Sequence, residues 1–136
     1  MLKEFSVLFI VMMAMLLNFE KYVLLEAKSK SVDVRNEVPF LVLVSMKPVK
    51  GIHINTEPPI SVTALDRKVT AHVKAVHKSR GYLDSSKPIE VECKPIGVEP
   101  GLHKFSYSVN YAYCSEKDGW CRMGRDTVSV TVRVKE

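Results

Sequence analysis

No glycine-rich phosphate loop, no Cys-x-x-Cys pair and no serine nucleophile elbow occurs in the chain, so nucleotide and hydrolase chemistry lack a local signature. There is no internal repeat and no low-complexity tract. With 46% hydrophobic and 26% charged residues, no stretch combines low hydrophobicity with high charge as long disordered regions do, and a folded core is expected. Nor is there room for two full domains in 136 residues, because one hydrophobic core typically serves about 100 to 200 residues. A basic stripe is missing too. The net charge of +5 and pI near 9.1 come from lysines and arginines scattered among Glu90, Glu92, Glu99, Glu116 and Asp118 without interleaved aromatics. That pattern excludes a nucleic-acid partner and supports only weak attraction to acidic surfaces.

What is present begins with an apolar run. Phe5 to Leu17 follows a lone lysine, Lys3, in the manner of a secretory h-region. As a helix it would span roughly 20 Å, short of the ~30 Å hydrocarbon core. Extension through Tyr22-Val23-Leu24-Leu25 would bring Asn18, Glu20 and Lys21 into or near the bilayer, at a few kcal/mol each unless they sit at an interface. Ala27 makes a poor cleavage site because Leu25 stands two positions before it. Residues 1–27 are therefore read as a cleaved signal or a membrane tether, with a buried N-terminal helix as the third reading. The first two place the domain in the periplasm or cell envelope. Residues 28–36 are polar and read as a linker, and the folded domain is expected over 37–136.

Beyond the linker the periodicity is that of strands. Val38 to Met46 is a nearly continuous apolar run, suited to a strand buried on both sides. Alternation with period two follows at Ile60-Val62-Ala64, Val69-Ala71-Val73-Ala75 and Ile89-Val91-Cys93, at Phe105-Tyr107-Val109-Tyr111-Tyr113, and at Val128-Val130-Val132-Val134. Pro58-Pro59, Arg80-Gly81, Pro95, Pro100-Gly101 and Asp118-Gly119 punctuate these runs, and no helical pattern of ten residues survives between them. Six or seven short strands with such turns predict an all-β, immunoglobulin-like β-sandwich. Lys78 to Lys87 is the least patterned stretch and reads as a surface loop or, alternatively, a functional flap.

Cys114 ends the aromatic strand and Cys121 opens the last one, with Gly119 in the loop between them. Adjacent antiparallel strands would bring the two together. A disulfide there would close about eight residues and contribute roughly 2.5 kcal/mol in the chain-entropy model. Spacing alone leaves a structural staple and a redox-active pair equally open.

The run Gly51-Ile52-His53-Ile54-Asn55 with Pro58-Pro59, followed by Tyr111-Ala112-Tyr113-Cys114-Ser115, Cys121 and a valine-rich last strand, resembles the N-terminal periplasmic domain of the thiol:disulfide interchange protein DsbD over residues 38 to 135. The resemblance implies an immunoglobulin-like domain that passes electrons between a thioredoxin-like donor and envelope acceptors, with Cys114 and Cys121 as the exchanging pair and no cofactor. That family usually has five residues between its cysteines and an aromatic-Pro-Pro sequence after the second. This chain has six, then Arg122-Met123-Gly124. The family's cap loop would fall near Lys78 to Lys87, where Tyr82 and Asp84 offer comparable chemistry.

Within that reading Cys121 is expected to be the partner-facing sulfur. Arg122 and Arg125 would favour its thiolate, unless they simply solvate the loop, and Trp120 would supply an apolar docking contact. Cys93 shares the parity of Ile89 and Val91 and is expected to be a buried, inert thiol. A copper site would need two histidines beside a cysteine, and no histidine follows Cys121 at the required spacing. His53 is read as a structural donor at a strand end. The alternative function is a non-enzymatic immunoglobulin-like interaction domain in which the same disulfide is permanent.

Overall fold

The structure, a computed structural model, describes residues 21–136. In chain order the strands are β1 (Val23–Ser29), β2 (Asp33–Arg35), β3 (Phe40–Pro48), β4 (Ile52–Ile54), β5 (Ser61–Ala64), β6 (Val69–Ala75), β7 (Lys78–Ser79), β8 (Tyr82–Leu83), β9 (Ile89–Pro95), β10 (Gly101–Ser115) and β11 (Cys121–Lys135). Alternation in the sequence becomes alternation in burial. Val42, Val44, Val91, Val109 and Val132 turn inward and are almost fully buried, while their neighbours turn out. Burying each such side chain contributes about 1.5–3 kcal/mol before chain entropy is counted, and the two inner faces together form one core.

One sheet has the order β1-β3-β9-β6. The other runs β2-β11-β10-β4, and β5 also pairs β10 further along its length. β2 lies parallel to β11, whereas β1, β3, β9 and β6 pair antiparallel. With β1, β3, β6 and β9 taken as A, B, D and E, and β4/β5, β10 and β11 as C, F and G, this is the strand order of the immunoglobulin fold. The C position is split because Pro58 and Pro59 have no N–H to give the ladder between β4 and β5.

The segment expected to be a linker is instead structural. β1 pairs β3 from Val23↔Pro48 to Ser29↔Val42, and β2 pairs β11. Asn36 then clamps the turn before β10: its Nδ2 donates to the Val98 carbonyl at 2.8 Å, and its Oδ1 accepts from the Val98 N–H at 2.9 Å. The domain thus starts well before residue 37. β1 was disguised because its outward Leu24 is apolar, so that Tyr22 to Leu25 reads as a run rather than as alternation. The rest of the expected export segment, residues 1–20, lies outside the described residues. β3 also differs in one respect from expectation. Its outward Leu41, Leu43 and Ser45 are half-buried rather than enclosed, since among the described residues no second layer covers that face.

Candidate functional site

β10 and β11 form one long hairpin whose register runs from Gly101↔Val134 to Cys114↔Cys121. At its tip the Ser115 N–H donates to the Trp120 carbonyl at 2.9 Å, the Gly119 N–H donates to the Ser115 carbonyl at 3.0 Å, and Gly119 takes a φ of 68°. Ser115 and Trp120 are therefore a hydrogen-bonded pair, and the next pair inward is of the non-hydrogen-bonded kind, in which opposed side chains stand closest. That pair is Cys114 and Cys121, disulfide-bonded with a Cα–Cα separation of 4.1 Å.

Parity along β10 sets the direction of the sulfurs. Phe105, Tyr107, Val109 and Tyr111 face the core, so Cys114 faces outward. The bond lies on the open face of the sheet, Cys121 exposed and Cys114 half-buried. Cys114 owes its shelter to β4, where His53 stands directly across from it in register. Two residues on, the Asn55 N–H donates to the Ala112 carbonyl at 2.8 Å, and the Asn55 side-chain Nδ2 donates to Cys114 Sγ at 3.1 Å.

The stretch Lys78 to Lys87 is a small hairpin, β7 with β8, turned at Arg80 and Gly81. Both central residues have positive φ, 54° and 84°, as a two-residue turn matched to strand twist requires. The hairpin packs against β4: Asn55 bridges Tyr82, Leu83 is buried, and the Tyr82 ring stacks on His53 with centroids 4.4 Å apart. His53 Nε2 also approaches Glu116 Oε1 at 2.5 Å without aligning as a hydrogen bond, so the contact is ionic when the imidazole is protonated. Tyr82, His53, Asn55 and Glu116 thus wall one side of the disulfide, and Asp84 turns away to cap Ser86.

The two arginines are not at the sulfur. Period-two alternation sends Arg122 to the opposite face from Cys121, where its guanidinium lies 4.3 Å above the Trp120 ring and 5.8 Å from that of Tyr22. Arg125 shares the face of Cys121 but stands four residues along, about 13 Å away at 3.3 Å per residue, with its Nε donating to Asn110 Oδ1 at 2.9 Å. Trp120 packs edge-on against Tyr22 and Tyr113 at 5.2 and 5.9 Å. It is half-buried in an aromatic cluster that Arg122 caps, so the expected contact is a composite surface rather than one exposed ring.

Cys93 is 0% exposed in the core. Burial pushes its thiol up to about 11 from an ordinary 9.0. The Tyr107 hydroxyl points into the same layer and interacts with this thiol, though no hydrogen bond of good geometry closes between them; burial and the thiol drive that phenol well above its usual range. Among the described residues no three His, Cys, Asp or Glu converge as a metal-ligand set.

Asn55 and Glu116 were not legible as site residues. The β4–β10 register brings Asn55 to the disulfide, with the Gly-Ile-His-Ile-Asn run as its one sequence signal, whereas Glu116 lies two residues beyond Cys114 in the chain and meets His53 across the same register.

No protein-family model matches the sequence, and no curated protein does. Among solved structures the chain is similar to murine CRIg, with 11% identity and a TM-score of 0.47 over 85% of this chain and 100% of that one. The immunoglobulin-like fold stands on the strand order itself.

Proposed function

We propose that this domain is a thiol-disulfide exchange module of the periplasm or cell envelope, with Cys114 and Cys121 cycling between dithiol and disulfide and a thioredoxin-like protein as its partner. The observation that carries the reading is where the bond sits. A staple of an immunoglobulin-type domain joins the two sheets through the core; in this domain the facing sheets meet there through side chains such as Phe40 and Phe105, with centroids 6.4 Å apart. The Cys114–Cys121 bond instead links two strands already held by the full β10–β11 ladder, on an open face, with one sulfur exposed. It adds little that the ladder lacks, and it is accessible.

The resemblance to the DsbD domain supports the same pair, and the stretch it takes for a cap loop is the Tyr82 hairpin that stacks on His53 beside the disulfide. The chemistry is attack of a partner thiolate on the exposed Cys121 sulfur, a mixed disulfide, and release by the partner's second thiol, with no bound cofactor. The Trp120, Tyr22 and Tyr113 cluster beneath Arg122 is the docking surface for that partner, since aromatics and arginine dominate protein–protein hot spots. An N-terminal signal or tether over the first twenty residues belongs to this reading.

The same cluster favours a second reading, a non-enzymatic interaction domain with a permanent disulfide. The reduction potential separates the two. A value of about −180 to −270 mV supports exchange, whereas one below about −300 mV marks a structural bond and refutes it.

A further inference from the structure

We infer that Asn55 is a catalytic residue of the exchange, donating to Cys114 Sγ and thereby making Cys114 the leaving thiolate when Cys121 is attacked. The inference rests on the exchange reading and deepens it by assigning unequal roles to the two sulfurs.

A disulfide sulfur carries lone pairs and no proton, so the amide end that belongs against it is the NH₂, as found at 3.1 Å. To a neutral disulfide this bond is weak. Once the S–S bond breaks, the electron pair stays on Cys114 and the same N–H faces a full negative charge, which makes the bond charge-assisted. An interaction stronger in the transition state than in the ground state is the kind that accelerates a reaction.

Asn55 is well placed to deliver it. Its backbone is pinned between β10, through the Ala112 carbonyl, and β8, through the bridge to Tyr82, so the donor needs no reorganisation when charge develops. Cys121, on the far side of Cys114, is the more exposed sulfur. Of the charged groups near Cys114 on its β4 side, His53 stands across from it in register and its Nε2 lies 2.5 Å from Glu116 Oε1.

The step balances as follows. A thiolate of the partner dithiol forms a bond to Cys121 Sγ, and the Cys114–Cys121 bond breaks with its electron pair leaving on Cys114 Sγ. The partner's second thiolate then displaces Cys121 from the mixed disulfide. The partner is oxidised to a disulfide, and the domain gains two electrons and, on equilibration, two protons.

The test uses the full chain. Carbamidomethylation of Cys114 is followed against pH by site-resolved mass spectrometry in the Cys121→Ser background, and disulfide reduction by dithiothreitol is timed with both cysteines present. Asn55→Ala is expected to raise the Cys114 pKa by about one unit and to slow reduction about three- to tenfold. Asn55→Asp, the same size, is expected to raise the pKa further by setting a carboxylate beside the thiolate, and it carries the test if the alanine variant fails to fold. Unchanged titration and unchanged reduction in the folded variants overturn the assignment. A potential in the structural range alongside an Asn55-dependent pKa would retire the exchange reading, and with it the catalytic role, leaving Asn55 only as a donor to the Cys114 sulfur. A potential in the exchange range with an Asn55-independent pKa would retire the Asn55 assignment alone.

Discussion

Gly124 sits on β11 opposite Tyr111, three residues beyond Cys121, and a β-carbon there would lie 2.5 Å from Tyr111 Cζ and 2.7 Å from Cε2. Carbon atoms prefer about 3.5–4.0 Å, so a Gly124→Ala variant must push the ring aside by about 1 Å. The ring has little freedom to yield, being buried with its hydroxyl donating to Asp126 Oδ2 at 2.6 Å. Overpacking costs about 1–3 kcal/mol, and losing a hydrogen bond to a charged group costs about 1.5–3 more. Against this, alanine in a strand is favoured over glycine by about 0.5–1 kcal/mol. The net expectation is a loss of about 1.5–5.5 kcal/mol, or roughly 5–30 °C in Tm for a domain of this size. Guanidinium unfolding followed by Trp120 fluorescence measures it. In a Tyr111→Ala background the added methyl meets no ring and should be neutral or stabilising by up to about 1 kcal/mol. A single variant costing less than about 0.5 kcal/mol, or the same cost in both backgrounds, would refute the steric argument.

Three further outcomes are expected. Asn36→Ala strips both side-chain bonds from the Val98 backbone and should cost about 1–3 kcal/mol in the same unfolding assay. A chain starting at Lys28 loses most of β1 and bares the edge of β3, so it should melt lower and aggregate more readily than one starting at Lys21, as read by thermal melts and light scattering. Cys93 holds its proton to about pH 11 in the folded state against an ordinary 9.0. The folded state therefore binds more protons than the unfolded one between these values, and stability should fall as pH rises through that window, by up to about 2–3 kcal/mol. In Cys93→Ala that slope should flatten, leaving the part due to Tyr107 and Tyr111, whose phenols burial also pushes up; an unchanged slope would clear Cys93 of the effect.

The amino-acid sequence by itself determined which side chains form the core. Period-two alternation on β6, β9, β10 and β11 converts directly into burial, because successive side chains of a strand point to opposite faces whatever the strand pairs with. The turn residues that separate the strands, and the inward parity of Cys93, were legible for the same reason. β1 was not, because apolar Leu24 on its outward side breaks the alternation. β7 and β8 are two residues each and carry too little pattern to register. Pairing is what sequence periodicity cannot express, since it states which face a residue takes and not which strand lies beside it. The tertiary structure alone sets Cys114 across from His53, brings Asn55 to its sulfur, and folds the Tyr82 hairpin onto β4. It alone lays Arg122 onto Trp120, because strand alternation states that Arg122 takes the face opposite Cys121 but not which rings pack together on that face.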